Sequence, residues 1–172
     1  MWLDIFKEKG LLSDLIKNYE YRPNQEKYSS EIQKIIHGQK NIGVLEAGTG
    51  LGKSIGYLFP AIKQSKQRRK CVLICCHTKN LQDQLFYKDL PILSNALGIN
   101  INAALLKGRS NYICKTRLNW LMNEKNKILS SKDIESILPL IIWLSFTKTG
   151  DLSECSGFWN SRPNKTPSLI KS

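Results

Sequence analysis

The decapeptide "LEAGTGLGKS", Leu45 to Ser54, constrains this chain more than any other stretch. Three glycines, a lysine and a serine follow directly on the apolar run Ile42–Leu45. A phosphate cradle needs backbone N–H groups converging on one point, then a helix N-terminus whose dipole favours negative charge. Gly48, Gly50 and Gly52 give the loop its freedom, Lys53 is placed to reach β- and γ-phosphates, and the Ser54 hydroxyl suits Mg²⁺. The usual pattern, G-x-x-x-x-G-K-[ST], has glycine where this chain has Ala47. The predicted cradle is therefore Ala47, Gly48, Thr49, Gly50, Leu51, Gly52, Lys53 and Ser54. The bland alternative is a glycine-rich turn with a chance lysine.

The flanking segments set the fold expectation. "RPNQEKYSSEIQKIIHGQ" puts Tyr28, Ile32, Ile35 and Ile36 at helical spacing between Pro23 and Gly38. "NIGVLEAG" reads as a short buried strand, and "KSIGYLFPAIKQS" as a helix that Pro60 should kink or end. "KCVLICC" reads as a second buried strand, with Cys71, Cys75 and Cys76 as small core hydrophobes. Thr78 is a candidate N-cap for "KNLQDQLFYKDL", with Leu81 and Leu85 on one face, and "INAALL" makes a third strand. Strands alternating with helices predict an α/β domain, a mainly parallel sheet flanked by helices. After Leu106 the alternation stops: a polar, basic segment leads to one more helix, "DIESILPLIIWLSF", and the stretch from Thr147 onwards reads as loop.

Composition narrows the partners. Among 172 residues, 26 Lys and Arg face 14 Asp and Glu, and the net charge of +12 favours nucleic acid before membrane. "MWLDIFKEKG" carries charges where a signal peptide needs an apolar stretch, so a cytoplasmic location is expected. The apolar run Ile137–Phe146 contains Pro139 and is about half the length a membrane span requires. Five cysteines, three of them in "CVLICC", do not resemble a secreted disulfide framework.

Four segments in order give the chain its resemblance to a family. They are "YEYRPNQ", "LEAGTGLGKSIGYLFPAI", "HTKNLQDQLFYKDLPIL" and "LLKGRSNYICKTRL", over roughly Tyr19 to Gly157. Together they resemble the DinG/XPD group of superfamily 2 DNA helicases, which are DEAH-type with iron–sulphur members. The resemblance implies a P-loop NTPase (RecA-like) fold, incomplete, over residues 1–107. It implies the start of an inserted, mostly helical iron–sulphur region, truncated, over 108–172. ATP and Mg²⁺ are the implied cofactors, with Mg²⁺ on Ser54, and single-stranded DNA is the implied partner.

Residue by residue, the resemblance makes Gln25 the reader of the adenine edge, with Arg22 beside it; an amide donates and accepts at once. Thr78 and Asn80 stand where the family holds single-stranded DNA, and a helix N-terminus plus a hydroxyl can hold a backbone phosphate while Thr78 also caps. Lys107, Arg109, Tyr112, Lys115 and Arg117 interleave cations with an aromatic, a pattern that suits a single strand. Cys114 matches the first cluster cysteine of iron–sulphur members. A [4Fe–4S] cluster needs four thiolates, and downstream only Cys155 follows, so such a cluster is expected in a complete parent alone. The basic run Lys63–Lys70 reads as a solvated connection, and His37 and His77 are assigned no chemistry.

Hydrolysis needs a carboxylate pair, which the family writes D-E-A-H, and nowhere here are two acidic residues adjacent. No catalytic residue is therefore assigned. The expected function is the ATP-binding portion of an ATP-dependent DNA helicase, inactive alone. Two alternatives remain at this stage. A small P-loop phosphotransferase has no use for "HTKNLQDQL", and a non-enzymatic nucleic-acid binder would merely retain the loop.

Overall fold

Pro23 opens the first helix, where its fixed φ and missing N–H do no harm. The computed structural model describes residues 3–39, 41–128, 130–160 and 170–171, and divides into two units, Met1–Leu105 and Leu106–Ser172. In the first unit, α1 spans Pro23–Ile36 and α2 Lys53–Arg68. Then α3 (Lys79–Gln84), a π-helical turn (Leu85–Asp89) and α4 (Leu90–Leu97) follow without a break. The π turn precedes Pro91, which has no N–H to give and whose ring crowds the carbonyl four residues back; widening the helix there relieves both.

The first unit's core is Ile5, Phe6, Leu12, Leu58, Phe59, Ile62, Leu85, Leu93 and Ala96. Phe6 meets Phe59 edge to face at 5.6 Å, and Tyr19 ties the N-terminal segment down by donating to the Phe6 carbonyl at 2.6 Å. Full burial of a phenylalanine is worth about 2 kcal/mol. Between α1 and α2 the packing is closer and more polar. Gln25 and Ser29 are buried there, and a Cβ on Gly56 would stand 3.0 Å from Tyr28 Cδ1. α2 continues through Pro60 to Arg68, so the proline does not end it.

The expected parallel sheet is not formed. The runs 42–45, 71–76 and 101–106 form neither helix nor strand, and among the described residues no ladder joins them. Their apolar side chains stand open: Ile42 is 83% exposed, Val44 96%, Leu73 85% and Leu106 79%. The α/β reading is therefore replaced by helix-on-helix packing joined by unpaired irregular segments. An apolar run of four to six residues favours extended backbone locally, but pairing needs neighbours brought from afar in register, and these residues do not supply it. Cys71 and Cys75 are accordingly exposed rather than core.

The second unit holds α5 (Lys115–Ile128), α6 (Ser131–Leu144) and the short α7 (Ser156–Asn160). A capping box starts α6: Ser130 accepts from the Asp133 backbone, and Asp133 accepts from Ser130. Its core is Leu118, Leu121, Ile137, Leu140, Trp143, Leu152, Cys155, Phe158 and Ile170. The stretch from Thr147, expected as loop, contributes a 3-10 turn at Leu152–Glu154 and α7, both anchored by buried apolar residues. Positions 161–169 of that stretch lie outside the described residues. Two isolated antiparallel bridges, Tyr112 with Asp151 and Ile113 with Lys171, hold its ends together.

Candidate nucleotide site

The loop between Ala47 and Lys53 is shaped by two left-handed glycines, Gly50 at φ +81° and Gly52 at φ +79°. Only glycine enters that region without strain. Gly52 precedes α2 directly, and no side chain caps the helix. The first backbone N–H groups of α2 have no intrahelical acceptor, as at any helix start, and no side-chain cap satisfies them either.

Three side chains brace the loop through its carbonyls. Gln25, only 5% exposed, donates from Nε2 to the Gly52 carbonyl at 2.9 Å. Arg22 Nη1 donates to the Gly50 carbonyl, with Glu20 at 3.5 Å from the other nitrogen. Lys53 folds back, its ammonium donating to the carbonyls of Ala47 at 2.7 Å and Gly48 at 2.9 Å. The sequence-predicted residues Arg22, Gln25 and the loop are thus brought together. Gln25 has one amide arm committed to the loop backbone.

Arg22, Gly48, Thr49, Gly50 and Leu51 also line a recess of about 440 Å³, with Tyr21, Pro23 and Asn24 on the other wall. Sequence alone does not mark Tyr21 and Asn24, whose only signal is adjacency to Arg22 and Gln25. Tyr21 is held by donating to Glu26 Oε2 at 2.9 Å. Three residues beyond Ser54, the Tyr57 phenol is pushed up by burial, an effect that Ser54 only partly offsets. A second recess, of about 260 Å³ between Phe86, Leu90, Pro91, Ser94, Asn95, Ile101 and Ala103, is lined without a charged group.

The remaining predicted residues lie elsewhere. Thr78 caps α3, its hydroxyl accepting from Leu81 N at 3.3 Å, and Asn80 is exposed in the first turn. In the second unit, Arg109 and Lys115 are exposed and Tyr112 is half-buried, accepting from the Lys107 backbone at 2.8 Å. Lys107 itself is 8% exposed: its ammonium meets Asp151 at 2.8 Å and Ser153 at 3.2 Å. Burial would raise the Asp151 carboxyl, but Lys107 and Ser153 hold it below its ordinary value. Cys114 is half-buried, whereas Cys155 is a core residue at 3% exposure. Among the described residues no group of three or more His, Cys, Asp or Glu side chains is placed to hold a metal ion.

A family model described as "DEAD/DEAH box helicase" matches residues 22–142, from the loop-bracing Arg22 into α6. The chain belongs to the DEAD/DEAH box helicase family. Among its relatives in that family, "ATP-dependent DNA helicase YoaA" of Haemophilus influenzae is 39% identical over 153 residues, which is 88% of this chain and 23% of the relative. The protein of the same name from Escherichia coli is 36% identical, again over 88% of this chain and 23% of the relative. The "3'-5' exonuclease DinG" of Bacillus subtilis is 34% identical over 143 residues, 83% of this chain and 15% of the relative. The chain thus spans between about a seventh and a quarter of the length of these helicase-family relatives. No solved structure gives a significant match. The family is one of ATP and Mg²⁺ users, and no helix among the described residues is long and apolar enough to cross a membrane.

Proposed function

We propose that this chain is the ATP-binding portion of a DinG/YoaA-type DNA helicase, with the Ala47–Ser54 loop as the seat of the nucleotide phosphates. The observation that carries the reading is the uncapped start of α2 behind two left-handed glycines, with Lys53 already inside the loop. The free N–H groups and the helix dipole would face the phosphates, Lys53 would supply the charge, and the Ser54 hydroxyl would ligate Mg²⁺. When bound there, Mg²⁺ would offset the negative charge of the phosphates. Gln25 and Arg22 act on the loop from α1 and its approach, setting its carbonyls; Gln25 keeps an oxygen with which an adenine amine could bond.

Phosphate entry has a cost here. Lys53 must leave the carbonyls of Ala47 and Gly48, so part of the interaction with phosphate replaces bonds that already exist. The expected affinity is weak. Turnover is expected to be negligible, since no adjacent acidic pair exists to hold Mg²⁺ and orient water.

Residues 1–107 are proposed as the beginning of the ATP-binding region and 108–172 as the start of an insertion. The DNA contacts are assigned to Thr78 and Asn80 in the first unit and to Arg109, Tyr112 and Lys115 in the second, with Lys107 as their buried support. Cys114 is proposed as a cluster ligand in a complete parent only. The test is the anisotropy of a labelled single-stranded oligonucleotide with and without a nonhydrolysable ATP analogue. A nucleotide-dependent shift in affinity supports a helicase portion. DNA binding absent in both conditions would favour a phosphotransferase, and binding blind to nucleotide would favour a simple nucleic-acid binder.

A further inference from the structure

The far end of α2 is strongly basic. The run "KQSKQRRK", Lys63 to Lys70, contains five cations, no acid and no apolar residue. Lys66, Arg68, Arg69 and Lys70 are exposed. Two of these have structural work: Lys66 donates to the Asn100 carbonyl at 2.7 Å, and Lys66 with Arg68 lies in the last turn, where cations complement the helix dipole. That account does not reach Arg69 and Lys70, which lie beyond the helix end.

Arg69 is the more telling of the two. It takes the left-handed conformation at φ +51°, at the helix terminus where glycine is the residue of least strain. Gly98 fills the equivalent place after α4 in the ordinary way, at φ +61°. Arg69 thus holds a charged side chain at the position where glycine would be least strained, directly beside Arg68 and Lys70.

We infer that Arg68, Arg69 and Lys70 form a binding surface for the phosphodiester backbone of nucleic acid, separate from the phosphate loop. α2 has 16 residues, which at the helical rise puts roughly 24 Å between its two ends. One nucleotide cannot bridge them. Charge complementarity identifies the partner: a row of cations without interleaved apolar or aromatic side chains grips a backbone without reading bases.

The experiment titrates the full chain against a labelled oligothymidylate of about 20 nucleotides and a duplex of the same length, over a series of salt concentrations. Each phosphate contact contributes about 0.7 to the slope of log affinity against log salt on a single strand. Arg68→Gln/Arg69→Gln/Lys70→Gln should lower that slope by about 2 and weaken binding by roughly tenfold to a hundredfold near 0.1 M salt. Arg69→Gly is the control for folding: it removes one charge and relieves the left-handed strain. It should weaken binding about threefold to fivefold while thermal stability stays level or rises. Unchanged affinity and slope in both variants would overturn the inference. So would co-sedimentation of wild type, but not the triple variant, with phosphatidylcholine–phosphatidylserine vesicles while DNA affinity stays unchanged. Arg109→Gln/Lys115→Gln separates this surface from the one assigned above. If that pair leaves binding intact and the triple variant does not, the α2 surface stands and the other assignment falls.

Discussion

Gln25 Nε2 lies 2.9 Å from the Gly52 carbonyl, and a Cβ built on Gly52 would come within 2.3 Å of that same nitrogen. The buried amide and the bare glycine occupy one space, so the start of α2 is set by a residue on α1. Gly52→Ala must both displace Gln25 and hold a left-handed φ, and it should cost about 2–4 kcal/mol in urea unfolding. Gly48→Ala, with no atom within 4 Å of its added carbon, should stay within about 0.5 kcal/mol of wild type. Equal losses at the two positions would mean that Gln25 does not shape the loop.

A second expectation concerns Lys107 and Asp151, paired at 2.8 Å with both side chains nearly buried. Asp151→Asn or Lys107→Gln leaves the other partner charged and buried, at about 3–5 kcal/mol, whereas replacing both with apolar residues should be close to neutral. The Asp151 carboxyl is held below its ordinary value, so its contribution is present at neutral pH, above the unfolded pKa, and is lost as pH falls through the folded pKa. Denaturant midpoints between pH 7 and pH 3 should therefore fall more in wild type than in the apolar pair variant. A parallel fall in both would remove Asp151 from the acid response.

What could be read from the sequence divides along physical lines. Helices with strong local signals were legible: Pro23 and the spacing of Tyr28, Ile32 and Ile35 mark α1, and Thr78 caps α3 as its position suggested. The family was legible too, because it rests on ordered motifs between Tyr19 and Gly157 rather than on tertiary contacts. The sheet was not. Val44 and Leu73 look like core strand residues in a one-dimensional reading, but whether a strand finds a neighbour is a non-local question, and both stand exposed. Lys107 misled in the opposite direction, as a cation in a basic segment that turns out to face Asp151 from inside. Nothing in its neighbours announces a carboxylate more than forty residues away.

DNA binding should favour single strands over duplex and weaken steeply with salt. Arg109→Gln/Lys115→Gln should lower affinity severalfold without changing the unfolding midpoint, since both side chains are exposed. Lys107→Gln should do the reverse, acting on stability first. Filter binding and urea titration on the same preparations distinguish them; an effect of Lys107→Gln on affinity alone would contradict the buried pairing.

Iron–sulphur reconstitution under anaerobic conditions should leave the chain without a stable [4Fe–4S] cluster. Cys155 is enclosed by the second unit's core, and Cys114 alone cannot supply four thiolates. Cys155→Ala should consequently lower stability and leave iron content unchanged. About four irons per chain, lost on Cys155→Ala, would show that the core opens to make a ligand.

The most direct measurement is calorimetric titration of a nonhydrolysable ATP analogue, with Mg²⁺, into wild type and Lys53→Ala, alongside a phosphate-release assay. Wild type should bind weakly, Lys53→Ala should lose at least tenfold in affinity, which is about 1.4 kcal/mol, and neither should turn over repeatedly. Equal affinity in both proteins, or no binding by wild type even at millimolar nucleotide, would contradict the assignment of the Ala47–Ser54 loop as the phosphate site.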